Sequence, residues 1–587
     1  MKFDNLRKKI ENAPFLSQLF LSFFSVLILE AVARKSFLSS YIWLLKYPHH
    51  FLFLTILILM SIRLVFSLVC IFHLSWLIIF IPCFILSLIH SVKLSVRNEP
   101  LMPWDLKLYN EAFKIFDIGF FPFSFLNFLI IIFFMAILYF FSSKIIIKKL
   151  SSSSKLFSLG VPAAIFLIFI NLHHMEIWHK YCQKNDFNFS KNNQNVLKIG
   201  FLPTFFLNFT FTMVEKPSNY SSELAYNILY NFNNSENSKE PSDDSISLII
   251  ILSESFWDPF GFKNLIFLKD PIPNFHSLIK EDSYINLISP VLAGNTCNVE
   301  FELLTGLSMA FLPLGSIPYQ QFIKRKTESL ASILADQGYY PIAIHPFYKF
   351  FFNRDQVYPL LGFNDFISME SMNFTDESGH FISDMSLTSE IIDRSKNLPI
   401  PFFIFAVSME NHGYYPPKRY KNNFKDFDIS DNIKNLEKNE KAVLSTYLTG
   451  LQNADLALGE LLNYFKKSKN KTIIVFLGDH LPYLDEEFSI FKKLGYLNNE
   501  KKFPKMYKQK AVFWTNFKTI NSCIKEDLSV SYLPSLILSK LEKRSSRYLN
   551  YSFSFSKKYP VLHQEKIPQN IDNYRVVQYY KLFEDNR

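Results

Sequence analysis

Hydrophobic residues are distributed unevenly along the chain, and its two halves follow different patterns. In the first 175 residues they form long uninterrupted runs, whereas after residue 245 they form short runs that alternate with amphipathic segments. A helix needs about 20 apolar residues to cross a bilayer, so long runs indicate membrane spans and short ones indicate buried strands. We therefore predict a transmembrane domain over residues 1–175, a juxtamembrane segment and linker over 176–245, a folded domain over 246–560 and a tail over 561–587.

Five transmembrane helices are predicted in the first domain. Phe51–His90 is long enough for two helices, and its polar residues Arg63 and His73 are both candidates for the joint between them. Three further runs are each about one helix long: Phe15–Ala33, Ser124–Phe141 and Leu156–Leu172. With five spans the two ends of the chain lie on opposite sides of the membrane.

The basic residues predict the orientation of these helices. Four precede the first predicted span and four lie between the last two: Lys2, Arg7, Lys8, Lys9, Lys144, Lys148, Lys149 and Lys155. Five spans put both groups on one side, which the positive-inside rule assigns to the cytoplasm, so the region after residue 175 is predicted to be extracytoplasmic. This topology leaves Arg34, Lys35 and Lys46 outside, and the alternative is a four- or six-span bundle with a cytoplasmic C-terminal domain.

Short continuous apolar runs dominate the second half. They are rich in β-branched residues and comprise Ile246–Leu252, Tyr340–Ile344, Phe402–Val407 and Thr472–Leu477. Such runs, separated by helical patterns such as Leu436–Phe465, predict an α/β domain with a mostly parallel, buried central sheet. In open α/β sheets, ligands bind beyond the carboxyl ends of the strands, so the residues that follow each run are the candidates for chemistry.

Four residues in these positions form a candidate metal site. Glu254 follows the first run, and Asp479 and His480 follow the fourth. Thr296 lies where a loop becomes a helix, where a hydroxyl beside a metal would be an activated nucleophile and the helix N-terminus would favour phosphate. Taken singly, each residue also suits a structural role: an ion pair for Glu254, an N-cap for Thr296. Together, three oxygen ligands and one imidazole suit Mn²⁺ or Mg²⁺, with Zn²⁺ as an alternative.

Basic residues follow the two middle runs. His345 ends one run and is followed by Arg354, and His412 follows the next. The planar guanidinium of Arg354 suits phosphate oxygens, and either histidine could move a proton to or from the reacting group. Each of the three also suits an ordinary structural role in a loop.

The overall composition agrees with a membrane protein that also has a folded soluble part. Of 587 residues, 49% are hydrophobic and 19% charged, and the formal net charge is +10. The positive charge suits an anionic membrane surface or anionic substrate, and no zinc-finger or RNA-binding signature indicates nucleic acid. The five cysteines show no disulfide framework, and no GxGxxG or P-loop motif indicates a nucleotide donor.

The motifs SESFWDP, GNTCNVEFE, HPFYKFFFNRD, SMENHG and GDHLP, in this order, resemble the lipoteichoic acid synthase family. These enzymes are membrane phosphoglycerol transferases of the alkaline phosphatase/sulfatase superfamily. The resemblance implies one divalent cation, usually manganese, on Glu254, Thr296, Asp479 and His480. It also implies that Thr296 is the nucleophile that accepts glycerol phosphate from phosphatidylglycerol, releasing diacylglycerol. The C-x-P-x-R type motif of true sulfatases is absent around Thr296.

The resemblance further implies a phosphoglycerol pocket formed by Arg354, His345 and His412, with His412 assisting proton transfer. The synthases have Trp-Asn-Arg where this chain has Phe352-Asn353-Arg354, which removes an indole donor from the pocket. Segments 270–278 and 315–322 resemble a less characterised branch, so the expected acceptor is an envelope glycan or a teichoic-acid-like polymer. The alternatives are a phosphoethanolamine transferase, a phosphodiesterase of the same superfamily, or a catalytically silent envelope scaffold.

Overall fold

The structure is a computed structural model of the chain. It describes residues 14–97, 100–108, 125–143, 160, 164, 192–209, 214–232, 244–281, 283–313, 315–420, 435–485, 488–498, 503–518 and 524–585. The chain folds into two compact units, one built mainly of Met1–Val214 and one of Glu215–Leu312 with Ile317–Arg587. The second unit begins before and ends after the domain predicted over 246–560, because it starts at Glu215 and reaches Arg587.

The described part of the first unit is helical. Its helices are α1 Pro14–Ala33, α2 Phe37–Lys46, α3 Pro48–Val69, α4 Phe72–Arg97, α5 Phe125–Ser143, α6 Asn192–Ile199 and α7 Phe201–Phe209. Among the described residues, three stretches are long and apolar enough to cross a membrane: Leu16–Ala33, Pro48–Val69 and Phe72–Leu94. The protein is therefore a membrane protein with three candidate spans in this part of the chain.

The predicted count of five spans is thus corrected. The predicted fourth span is helix α5, whose described apolar stretch is only Ile132–Ser143. The predicted fifth span, Leu156–Leu172, lies outside the described residues.

The long run Phe51–His90 does hold two helices, but neither predicted polar residue marks their joint. Helix α3 ends at Val69 and α4 begins at Phe72, and Cys70 adopts a left-handed conformation (φ 60°) that ends the first helix. Arg63 and His73 both lie inside helices. The turn is therefore made by a backbone conformation that the hydrophobicity pattern does not reveal.

A buried carboxylate joins three segments of the first unit. Glu30 of α1 forms an ion pair with Arg34, with 2.9 Å between Oε2 and Nε, and its Oε1 accepts a 2.8 Å hydrogen bond from the backbone N–H of Phe201. The Phe201 ring in turn stacks on His90 of α4, with 4.1 Å between the ring centroids. The ends of α1 and α4 and the start of α7 therefore lie together.

The second unit is built around an eight-stranded mixed sheet. The strands in the described residues are β1 Ser247–Ser253, β2 Tyr284–Ile288, β3 Tyr340–His345, β4 Asp365–Ser368, β5 Glu377–Ser378, β6 Phe381–Ile382, β7 Phe402–Val407, β8 Thr472–Gly478, β9 Lys508–Thr515 and β10 Ile524–Ser529. The order in the sheet is β10-β2-β9-β8-β1-β7-β3-β4, and β5 and β6 form a separate hairpin. The four predicted runs are the neighbouring strands β8, β1, β7 and β3, which are mutually parallel. The prediction of an α/β domain with a mostly parallel sheet is confirmed.

The described part of the second unit also contains helices. They are α8 Ser222–Tyr230, α9 Pro273–Lys280, α10 Thr296–Thr305, α11 Pro318–Gln321, α12 Leu330–Ala335, α13 Arg354–Leu360, α14 Asp384–Asn397, α15 Lys438–Lys466, α16 Ser489–Lys493, α17 Leu533–Leu541, α18 Arg547–Ser556 and α19 Asp572–Phe583. Helix α15 is the one predicted over Leu436–Phe465. Every residue of β1 is buried, so this strand is covered on both faces, as a continuous apolar run requires. Helix α19, in the predicted tail, buries Tyr574 and Val577 within this unit.

Candidate active site

Two adjacent parallel strands bring the predicted metal ligands together. The register pairs Ser253 of β1 with Gly478 of β8, so the next residues along each strand, Glu254 and Asp479, leave the sheet side by side. Glu254, Asp479 and His480 each offer a ligand atom, and these three atoms lie within 4.8 Å of one another. The Nε2 atom of His480 lies 3.2 Å from Asp479 Oδ2 and 3.7 Å from Glu254 Oε1.

The predicted nucleophile points into the same cluster. Thr296 is the first residue of α10, and its Oγ1 lies 2.7 Å from Asp479 Oδ2 and 3.1 Å from Glu254 Oε2. The N-cap position is taken by Asn295, which has a left-handed backbone (φ 60°), so the structural alternative of Thr296 as the cap is wrong. All four predicted ligands thus converge from three separate segments of the chain.

Two serine residues that the sequence analysis did not single out hold Glu254 and Asp479 in place, Ser255 through the carboxylates and Ser408 through the backbone of Glu254. The Ser255 hydroxyl donates to Glu254 Oε1 (2.9 Å), and the Ser255 backbone N–H donates to Asp479 Oδ1 (2.7 Å). The backbone N–H of Glu254 donates to the hydroxyl of Ser408, which follows β7. Ser255 is part of the SESFWDP motif, and its position beside Glu254 was the only feature of the sequence that indicated a role in the site. For Ser408 the only such feature was its place at the end of a predicted strand.

Burial shifts the pKa values of the titratable groups in the cluster. Burial, and then the charge of Glu254, raises the pKa of Asp479 well above its ordinary value, and burial lowers the pKa of His480. For Glu254 burial opposes ionisation, but its electrostatic interactions with the nearby imidazoles of His412 and His480 lower its pKa. Two buried carboxylates with one imidazole are costly without a balancing charge, which a bound cation would supply.

The chemistry of the donor set fits a divalent cation. The cluster offers two carboxylates, one hydroxyl and one imidazole, and the buried His480 Nε2 has no hydrogen-bond partner among the described residues. Nδ1 of the same ring is occupied, at 3.2 Å from the carbonyl oxygen of Leu481, which orients the ring as expected for a histidine ligand. Glu254, Asp479 and His480, with Thr296, would therefore hold the ion.

The two predicted pocket histidines follow adjacent strands of the sheet. His345 ends β3 and is fully buried; its Nδ1 lies 3.0 Å from the carbonyl oxygen of Val407, and burial, followed by the charge of Arg354, lowers its pKa well below the ordinary value. His412 follows β7, is half-buried and lies within electrostatic range of Glu254. Both therefore lie at the same edge of the sheet as the metal ligands.

The guanidinium of Arg354, predicted to bind phosphate, has a protein partner that the sequence reasoning missed. Arg354 is 1% exposed, and its Nε and Nη2 contact Glu300 of α10 at 3.2 and 2.5 Å. Tyr358 donates its hydroxyl to Glu300 Oε2 at 2.8 Å. Burial opposes the charge on Arg354, but Glu300 holds its pKa above the ordinary value. Glu300 thus ties the helix that carries Thr296 to the predicted phosphate-binding residue.

Comparison with known proteins identifies the family of this domain. Residues 247–539 match the model of the Sulfatase family. A putative cyclic beta-1,2-glucan modification protein of Rhizobium meliloti is 36% identical over 364 residues, which are 57% of this chain and 54% of that protein. Lipoteichoic acid synthase of Staphylococcus aureus is 27% identical over 216 residues, 34% of this chain and 30% of that protein. The chain thus matches about half or less of the length of these curated relatives.

Two solved structures share the fold. Phosphoglycerol transferase GacH of Streptococcus pyogenes, in complex with sn-glycerol-1-phosphate, is 22% identical with a TM-score of 0.51, over 63% of this chain and 99% of that chain. Lipooligosaccharide phosphoethanolamine transferase A of Neisseria meningitidis is 12% identical with a TM-score of 0.51, over 92% of this chain and 98% of that chain. At these identities the likeness concerns the fold alone. Residues 247–539 of this membrane protein form a domain of the sulfatase/alkaline phosphatase superfamily, with lipoteichoic acid synthases among its homologues.

Proposed function

We propose that this protein is a metal-dependent phosphoglycerol transferase that moves glycerol phosphate from phosphatidylglycerol to an envelope glycan. The observation that carries the proposal is the position of the Thr296 hydroxyl, within 3.1 Å of one buried carboxylate and 2.7 Å of another at the start of a helix. Such an arrangement suits a nucleophile that forms a covalent phospho-enzyme. A cation on these residues, most suitably Mn²⁺, would lower the pKa of the hydroxyl and offset the charge of the phosphate.

The reaction proceeds in two displacements. In the first, Thr296 gives up its proton and its Oγ1 bonds to the phosphorus of the lipid, while the bond from phosphorus to the diacylglycerol oxygen breaks and that oxygen takes up a proton. In the second, an acceptor hydroxyl loses its proton and attacks the phosphothreonine, and the Thr296 oxygen leaves and is reprotonated. His412, which is half-buried and within electrostatic range of Glu254, is the residue proposed to carry the proton.

The acceptor assignment rests on the relatives. The Rhizobium meliloti homologue is described as a putative modification protein of cyclic beta-1,2-glucan, and the streptococcal structural neighbour as a phosphoglycerol transferase. A glucan of the cell envelope is therefore the proposed acceptor. Phosphoethanolamine transfer is the second candidate, because the solved phosphoethanolamine transferase matches the fold over 92% of this chain.

An extracytoplasmic site is proposed from the packing of the first unit. The ends of α1 and α4 and the start of α7 share one side through Glu30, Phe201 and His90. If the basic N-terminal segment is cytoplasmic, α1 ends outside, and α7 and the domain that follows it begin outside as well. This argument needs only the side on which α7 begins, so it supports the orientation without a count of five spans.

The test uses the full chain reconstituted in vesicles with headgroup-labelled phosphatidylglycerol, Mn²⁺ and cyclic β-1,2-glucan. We expect diacylglycerol release and labelled glucan, both abolished by EDTA and by Thr296→Val. Thr305→Val is the matched control, because Thr305 is a buried threonine at the other end of the same helix. Transfer that survives Thr296→Val would refute the nucleophile, and label transferred only from phosphatidylethanolamine would favour the second candidate.

A further inference from the structure

The loop between β1 and α9 exposes an unusual amount of apolar surface. Within this connection, residues 259–272 (the β1–α9 loop) carry Phe260, Ile266 and Leu268 with exposed fractions of 53%, 62% and 70%. The half-buried Phe267 packs its ring against Phe260, with 5.7 Å between centroids, and the exposed Ile266 and Leu268 stand on either side of Phe267 in the chain. Contiguous exposed apolar surface on a folded domain marks an interaction site.

The loop holds these side chains outward on a fixed frame. Its Phe262 and Leu265 are buried, and the Phe262 ring packs against Trp257, with 4.9 Å between centroids. At the loop's two ends, Asp258 and Asp270 contact opposite nitrogens of the same His276 ring at 3.2 and 2.7 Å. The exposed apolar side chains therefore belong to a loop that is held in place by the His276 contacts at its ends and by the packing of Phe262 and Leu265 in the core.

Charged residues indicate which surface this loop meets. Lys263 and Lys269 are exposed within it, and Lys505 lies within electrostatic range of Lys263. Large apolar side chains flanked by lysines are the composition of segments that lie in the headgroup region of anionic membranes. A second copy of the same surface would bring lysines against lysines, which disfavours self-association here.

We propose that the β1–α9 loop inserts Phe260, Ile266 and Leu268 into the outer leaflet and docks the catalytic domain on the bilayer. The loop begins five residues after the metal-ligand candidate Glu254, at the carboxyl edge of the sheet. Insertion at this point brings that edge to the headgroup level, where a phospholipid donor presents its phosphate. The interaction goes beyond the transfer reaction, because it concerns the membrane surface rather than the reacting molecule.

Depth-dependent quenching tests the docking without relying on catalysis. The full chain, with Cys70, Cys182 and Cys523 replaced by serine, receives a fluorescent label at Leu268→Cys and is reconstituted in phosphatidylglycerol-containing vesicles with a quencher at a shallow acyl position. The matched control is Ile400→Cys, because Ile400 is 48% exposed and precedes β7 at the opposite edge of the sheet. We expect strong quenching at position 268 and little at 400. Equal quenching at the two positions would overturn the proposal.

Charge substitution tests whether docking serves the reaction. We expect the double variant Ile266→Asp, Leu268→Asp to lose about tenfold or more of its activity on donor in bilayers, since burying one leucine side chain is worth a factor of about ten. Cleavage of a short-chain, micelle-dispersed donor should stay near wild type, as should both activities of Ile400→Asp. Equal loss on both donors would overturn the proposal by assigning the loop to the reaction site. A wild-type chain that cleaves neither donor would refute the proposed function instead, leaving the quenching result to decide docking.

Discussion

Substituting Glu300 by alanine should destabilise the catalytic domain far more than the loss of an ordinary glutamate. Glu300 is fully buried and is the carboxylate partner of Arg354, which is itself 1% exposed and has two of its nitrogens on Glu300. Glu300→Ala leaves the guanidinium buried without its counter-charge and also leaves the Tyr358 hydroxyl without its acceptor. The substitution therefore removes one charge and takes the shared carboxylate partner away from two buried polar groups.

The expected magnitude follows from the burial of both partners. Removing one member of a buried ion pair costs about 3–5 kcal/mol. The unfolding entropy of about 2.1 cal/mol/K per residue amounts to about 0.8 kcal/mol/K for a unit of roughly 370 residues. The transition temperature Tm of the domain should then fall by about 4–6 °C.

The assay is differential scanning fluorimetry of the detergent-purified chain, with Glu460→Ala as the control, because Glu460 is an exposed glutamate of α15. The double variant Glu300→Leu, Arg354→Met should regain part of the lost stability, since two buried apolar side chains need neither a counter-charge nor hydrogen-bond partners. Recovered stability with lost transfer would assign Arg354 a second role at the phosphate. A Tm change below about 1 °C in Glu300→Ala would refute the reasoning, because it would mean that the guanidinium finds water or another partner.

Three further outcomes are expected. Gly478→Ala should sharply lower both Tm and manganese affinity, because a Cβ at this position would lie 1.8 Å from the backbone oxygen of Phe256; unchanged manganese affinity by calorimetry would contradict this. Hydrogen bonds to two aspartates raise the pKa of His276 although burial opposes it, so its contribution is complete below about pH 6.5 and is lost as the pH rises through the higher folded pKa. The Tm difference between wild type and His276→Gln should therefore be larger at pH 6 than at pH 9, and equal differences would argue against the charged pair. Glu30→Ala leaves Arg34 without its carboxylate partner in the membrane unit. The melting temperature of this variant in detergent should therefore fall further below that of the wild type than the melting temperature of a variant that lacks an exposed glutamate.

The residues of the candidate site were predictable from the sequence because they stand at the ends of apolar runs. A buried parallel strand must be apolar along its whole length, so its end is visible as the point where polar residues begin. Glu254, Asp479 and His480 lie at two such points, and the motifs around Thr296 identified the third segment. That these segments meet depends on β1 and β8 being neighbours, which only the register of the sheet establishes.

Several features depended on contacts between residues far apart in the chain. The pairing of Arg354 with Glu300, the support of Glu254 by Ser408, and the turn at Cys70 had no signature in the local pattern. The sequence by itself determined the class of fold, the presence of membrane helices and the candidate ligands, because hydrophobic periodicity and motif spacing are properties of neighbouring residues. The tertiary structure decided the strand order, the partner of each buried charge and which apolar side chains of the β1–α9 loop remain exposed, because burial and pairing are set by whichever distant segments the folded chain brings into contact.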